Sequence, residues 1–197
     1  MSWESIPGWS GDIIPWQSEV MAKAIPQGGT YLEVGVFLGR SLAHLGTLRP
    51  DIELIAVDPW LDEPSGEFDV GFPQPVHRGW AGLGCFEEDV KRHGCLWFAF
   101  LALMKEHAPD VLKRTRIVRG TAATVTLKGP VDALFVDGAH DRPNVDADLD
   151  TFAPLVKPGG IISGHDFDGF WPGVVGAVEA RYKGRIQTRE TCWWVTA

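Results

Sequence analysis

At 197 residues, with 45% hydrophobic content and no internal repeat, the chain has the length for one well-buried domain and is too short for two ordinary ones. A formal net charge of -8 argues against a general nucleic-acid binder, whose affinity comes from basic residues and the counterions they release. No charged-then-apolar leader opens the chain and no apolar run has membrane-spanning length, so a cytoplasmic protein without membrane or nucleic-acid partners is expected.

The three cysteines, Cys85, Cys95 and Cys192, are odd in number and lack Cys-x-x-Cys spacing. They fit neither a disulfide framework nor a structural zinc site, and free thiols are expected. Residues 1–28 form a cover segment in which Val20, Ala24 and Ile25 mark one face of a short helix ended by Pro26, with Trp3, Trp9 and Trp16 as packing residues. Gly28-Gly29 then turns the chain into a first strand. Tyr31, Leu32, Val34, Val36 and Phe37 make a near-continuous apolar run, as a strand buried on both faces of a parallel sheet requires. Gly35 and Gly39 remove Cβ where the chain turns tightly, and Ser41 is placed to cap the next helix. Glu33, inside the run, needs hydrogen-bond donors from a ligand or from neighbouring backbone.

Ser41 to Leu48 reads as a helix stopped by Pro50, and Glu53 to Asp58 as a second buried strand. A carboxylate at the end of that strand, here Asp58, is where doubly wound nucleotide folds bind a ribose. Residues 59–94 break the pattern, being rich in Gly, Pro and aromatics (Trp60, Phe68, Phe72, Trp80, Phe86). A lid on the substrate side is expected there, and His77 and His93 within it are read as solvated or packed. Leu96 to His107 has helical periodicity, Arg116 to Arg119 is a short third strand, and Gly120-Thr121-Ala122 follows it.

Ala133 to Asp137 is the fourth strand, leading into Gly138-Ala-His140. Asp141 and Pro143 open the following helix, whose apolar face runs through Val145, Leu149, Phe152 and Val156. Asp146, Asp148 and Asp150 on it are read as a solvated face. Lys157 to Gly160 turns into a fifth strand, Ile161 to Ser163, ending at Gly164-His165-Asp166. A helix from Val174 to Tyr182 and an antiparallel pair, Arg185 to Thr188 with Cys192 to Thr196, close the chain. Alternating strands and helices predict an α/β sheet with helices on both faces.

The Glu33-x-Gly35-x-x-x-Gly39 turn followed by Asp58 resembles motif I and the second-strand acid of class I S-adenosylmethionine (SAM) dependent methyltransferases. The Val-Asp137-Gly-x-His140 segment, the Leu-x-Lys-Pro-Gly-Gly turn and Gly-His165-Asp166 are similar to the small O-methyltransferases related to sugar, macrolide and catechol methyltransferases. The resemblance covers nearly the whole chain. It implies a Rossmann-like seven-stranded sheet of order 3-2-1-4-5-7-6 with the seventh strand antiparallel, and SAM held by Glu33, Gly35, Gly39, Ser41, Asp58, Thr121 and Asp137. Many relatives have an acid where Thr121 stands, so the adenine contact there falls to backbone or hydroxyl. The resemblance also implies magnesium or another divalent metal on Asp137, Asp166 and His165, with His140 as the base.

His165 departs from the oxygen ligand usual in relatives. Either it does not bind, or the metal is one tolerant of imidazole, such as manganese, iron or zinc. The expected activity is methyl transfer to a small hydroxylated acceptor, with a homo-oligomer left open. The alternatives are a metal-free methyltransferase and an inactive SAM-binding protein of the same fold. A nicotinamide dehydrogenase would need Gly-x-Gly-x-x-Gly at the first turn, which Gly35-Val-Phe-Leu-Gly39 does not supply.

Overall fold

The computed structural model describes residues 2–8, 13–60, 88 and 90–197. Most of the lid expected over 59–94, with Phe68, Phe72, Trp80, Phe86 and His77, lies outside the described residues, as do Cys85, Trp9 and the side chain of Trp16. In chain order the strands are β1 (Thr30–Val34), β2 (Glu53–Asp58), β3 (Thr115–Arg119), β4 (Val131–Val136), β5 (Val156–Gly164), β6 (Gln187–Arg189) and β7 (Cys192–Thr196). The helices are α1 (Ile13–Ala24), α2 (Arg40–Leu48), α3 (Leu96–His107), α4 (Pro109–Arg114), α5 (Arg142–Phe152) and α6 (Pro172–Tyr182), with short 3-10 turns at Trp3–Ser5 and Ala153–Leu155.

The strands form one seven-stranded sheet of order β3-β2-β1-β4-β5-β7-β6. The strands β1 to β5 pair in parallel, and β7 is antiparallel to both β5 and β6. This is the expected topology. It follows from the period-2 geometry of strands applied to runs that are apolar at nearly every position. Tyr31, Ala133 and Phe135 face one layer with Leu42, Leu45, Phe100 and Met104 from α2 and α3. Leu32, Leu134 and Val136 face the other, with Val145, Leu149, Val174 and Val178 from α5 and α6.

One polar group at the opposite end of the sheet ties three strands together. Asp132, buried at the start of β4, accepts from the Thr30 amide at 2.8 Å and from Lys157 Nζ at 2.8 Å to each oxygen. Lys157 is therefore a strand residue, and β5 begins at Val156 rather than at Ile161. The Pro-Gly-Gly stretch forms an irregularity inside the strand, the register moving from Val131↔Val156 to Ala133↔Ile161. Gly159, at φ 81°, supplies the conformation such a bulge needs.

Two further expectations change. Gly39, in the left-handed region at φ 90°, is the cap of α2, and no side chain caps that helix, so Ser41 is free to face inward. Of the acidic run on α5 only Asp150 is exposed as expected, and the run is paired: Arg181 of α6 pairs with Asp146 and, at 2.7 Å, with Asp150, while Arg142 reaches Asp146 at 2.6 Å. Asp148 is buried, and burial with the nearby Asp141 charge pushes its carboxyl up to about 7. Of the cover segment, Trp3 stacks on His44 of α2 at 4.0 Å, and Arg40 donates to the Ile6 carbonyl at 3.0 Å. Trp3 is a packing residue, as expected.

Candidate active site

The parallel strands end along one rim, and the turns leaving β1, β2 and β4 meet there. Gly35, at φ 83°, is pressed so closely against the β4 exit that a Cβ would lie 2.2 Å from the Asp137 carbonyl oxygen. Only glycine fits, because the position needs both a positive φ and the missing side chain. The Asp137 amide donates to the Val34 carbonyl at 2.8 Å, which fixes the same approach from the other side.

Asp58 organises this turn. Its Oδ2 accepts from the amides of Val36 and Phe37 at 2.8 and 2.9 Å, and its Oδ1 from the amide of Trp60 at 2.7 Å. The residue is 7% exposed, and burial pushes its carboxyl up to about 6 against those three donors. A carboxylate has roughly four acceptor sites, so most of the capacity expected for a ribose is engaged by the glycine turn. The Gly120 amide donates to the Asp58 carbonyl at 3.0 Å, which brings the exposed Thr121 to the same end of the sheet. Thr121 itself is folded into a local turn, its amide donating to Thr124 Oγ1 at 3.0 Å.

Glu33 is fully buried. Two hydroxyls of its own neighbourhood donate to it. Tyr31 Oη donates to Oε2 at 3.0 Å and Ser41 Oγ donates to Oε1. Burial dominates all the same and lifts the Glu33 carboxyl to about 8. Glu33 and Ser41 thus act as a strut under the turn, joining β1 to the first turn of α2.

The second half of the site lies where β4 and β5 end. His140 Nε2 is 2.6 Å from Asp166 Oδ2. Asp137, His140 and Asp166 each offer a ligand atom, all within 4.8 Å of one another, a donor set of two carboxylates and an imidazole that fits a divalent cation. His165 is beside this group. Its Nδ1 is 3.1 Å from Asp166 Oδ1 and 3.8 Å from Asp137 Oδ1, and its Nε2 pairs with Thr191 Oγ1 at 2.8 Å.

Burial works against a charged His165, but the Asp166 hydrogen bond and the Asp137 charge outweigh it and raise its pKa to about 9. For Asp166 burial is likewise outweighed, and the bonds to His140 and His165 hold its carboxyl well below the usual range. Glu33, Gly35, Gly39, Ser41 and Asp58 thus lie around the first turn, and Asp137, His140, His165 and Asp166 beside it; the group whose ligand atoms converge contains His140 in the place where His165 was expected, because His165 turns its Nε2 to Thr191.

Two contacting residues were not expected. Trp171 stacks on the His140 ring at 4.0 Å between centroids and 22° between planes, and Thr191 holds His165. No periodicity marks either of them; only the Asp168-Gly-Phe-Trp-Pro172 run, with a turn former before a helix-opening proline, distinguishes the first.

A methyltransferase domain family matches residues 32–167, well over half of the chain. Among curated proteins none matches. Solved structures share the fold at low identity. A putative caffeoyl-CoA O-methyltransferase from Staphylococcus aureus aligns with TM-score 0.58 at 14% identity, over 98% of this chain and 87% of that one. An O-methyltransferase from Bacillus cereus, in complex with S-adenosylhomocysteine (SAH), aligns with TM-score 0.58 at 14% identity over 97% and 83%. A putative rRNA-methylase from Clostridium thermocellum aligns with TM-score 0.58 at 12% identity over 92% and 94%.

Proposed function

The chain belongs to the methyltransferase domain family and is a class I SAM-dependent methyltransferase; we propose that it methylates an oxygen of a small hydroxylated acceptor with the help of a divalent metal. The observation that carries this reading is the gathering of Asp137, His140 and Asp166 within 4.8 Å, two carboxylates to hold a cation and an imidazole to take a proton, beside the turn where Gly35 meets the β4 exit. The net charge of -8 favours a small acceptor over the RNA named for one structural relative, because a polyanion would be repelled. The two O-methyltransferases among those relatives point the same way.

When bound, SAM supplies a methyl group on a sulfonium whose sulfur leaves with the C–S electron pair. The work of this chain is to position it and to make the acceptor oxygen nucleophilic. Gly35 and Gly39 open the turn for the cofactor's methionine end, with Glu33 and Ser41 bracing it from below, and Asp58 and Thr121 lie on its ribose and adenine side. His140 takes the proton from the acceptor hydroxyl. Asp166, bonded to His140 Nε2, orients the imidazole and stabilises its charged form, the role a carboxylate plays beside a catalytic histidine elsewhere. Asp137 and Asp166 would hold the metal, which lowers the pKa of a bound hydroxyl.

A second reading has one observation in its favour. His140 and Asp166 bond directly, and His165 Nδ1 faces both carboxylates, so a metal-free dyad could serve. Titration with SAM and turnover on a panel of catechols and sugar hydroxyls, with and without EDTA, separates the two. Turnover abolished by EDTA with SAM binding intact supports the metal. Undiminished turnover in EDTA leaves the metal-free enzyme, and binding without any turnover leaves a SAM-binding protein.

A further inference from the structure

We infer that Trp171 is a positioning residue for His140, its indole serving as the wall that sets the imidazole plane. The inference rests on the reading of His140 as the base. A histidine ring turns about a broad, soft χ2 torsion, and the hydrogen bond from Nε2 to Asp166 Oδ2 fixes the direction of one ring nitrogen without fixing the roll of the ring about that bond. The stack at 4.0 Å and 22° opposes that roll. Aromatic stacks have preferred geometries of their own, so the bond and the stack restrain the ring in complementary directions.

The chain around Trp171 is built to hold the indole there. Asp168 Oδ1 accepts from the amides of Phe170 and Trp171 at 2.8 and 3.3 Å, a side-chain-closed turn that places the indole just before α6. The Phe167 amide donates to the Thr191 carbonyl at 2.8 Å, anchoring the same segment to the chain beside β7. Phe170 packs edge-on against Trp171 at 4.9 Å and 84°, and the indole is 9% exposed. Behind it, Gly173 lets the first turn of α6 touch the backbone that carries His140. A Cβ there would lie 2.3 Å from the His140 carbonyl oxygen and 2.7 Å from the Arg142 amide nitrogen. Indole and imidazole therefore sit on two pieces of backbone packed directly together.

The test reads the His140–Asp166 hydrogen bond and needs no acceptor. In EDTA-treated, SAH-saturated protein, the imidazole N–H proton of this short bond should appear far downfield in the proton NMR spectrum and vanish in His140→Gln. Trp171→Phe, which keeps a ring against the imidazole, should retain the resonance. Trp171→Leu, which keeps apolar volume but no ring face, and Trp171→Ala should lose it to solvent exchange, with SAH affinity within about twofold of the wild type. A folded Leu or Ala variant with the resonance at its wild-type position and intensity overturns the inference, as does a wild-type spectrum without it or a Phe variant that loses it. The resonance is independent of turnover, so an enzyme that proves not to use His140 as base can still show it. Failure of the one reading is thereby distinguished from failure of the other.

Discussion

Glu33 was legible as an anomaly, a carboxylate in an apolar strand, but its partners were not. Tyr31 lies two positions before it and Ser41 eight after it, across a turn whose geometry no periodicity encodes. The consequence is a pH dependence of stability with a definite sign. The folded-state pKa is about 8 and the ordinary value 4.5, so the folded protein holds this proton more tightly than the unfolded chain does. The associated stability is fully present below about pH 4.5, declines as pH rises, and is lost once pH passes about 8. At about 1.4 kcal/mol per pKa unit, the loss is on the order of 5 kcal/mol. Glu33→Gln cannot titrate there, and its unfolding free energy, followed by urea denaturation from pH 5 to 9, should gain steadily on the wild type. Parallel curves would show that Glu33 ionises normally. Asp58 gives a second residue-scale prediction. Its expected ribose role took no account of the three backbone amides it accepts from, so Asp58→Ala should lower stability as well as SAM affinity. Hydrogen bonds to a charged group are worth about 1.5–3 kcal/mol, and a lower Tm without added ligand would mark the turn-organising role. An unchanged Tm with weaker SAM binding would return Asp58 to ribose recognition alone.

Among the elements, β1, β2 and β4 were legible because strands buried on both faces read as apolar runs. What escaped was every feature set by a local exception to that pattern. The strand β5 contains a Pro-Gly-Gly stretch that reads as a turn, yet Lys157 is held in the strand by its pair with Asp132. The acids of α5 read as solvated because the Arg181 that pairs with them lies 31 residues beyond Asp150, on another helix. The β1 turn is the opposite case, since its glycine was legible and its reason is now geometric. Gly35→Ala puts a Cβ 2.2 Å from the Asp137 carbonyl oxygen and a side chain at φ 83°. Backbone strain of this kind costs on the order of 1–3 kcal/mol, and the clash with backbone cannot relax by a rotamer change. The variant should melt several degrees lower and fail to show calorimetric heat with SAM or SAH. A variant that binds SAH as tightly as the wild type would mean that the β1 and β4 exits need not touch for the cofactor to be held.

For the molecule as a whole, the sheet order brings together groups that sequence separates widely. Asp137 leaves β4, Asp166 leaves β5, and the rim joins them because parallel strands end on the same side. That rule made the site legible as a set. It could not show that Asp166 would take both histidines, His140 on Oδ2 and His165 on Oδ1, because the contacts that hold the two rings there, Trp171 on His140 and Thr191 on His165, come from a loop and a hairpin that no strand pattern places. The roles now divide in a way that kinetics can read. His140→Ala removes the proposed proton acceptor but none of the cofactor turn, so SAM affinity should stay near the wild-type value. The transfer rate should fall by about 10²- to 10⁴-fold, the usual contribution of a general base, and recover in part at high pH, where solvent hydroxide can take the proton. Asp137→Ala should respond differently. It removes a carboxylate that would hold the metal, so its activity should be lost and should not return at high pH, and saturating magnesium should fail to restore it. Were His140→Ala to turn over catechols at the wild-type rate, the proton would have to leave by another route, and Asp166 would act on the acceptor or on the metal without the histidine between them.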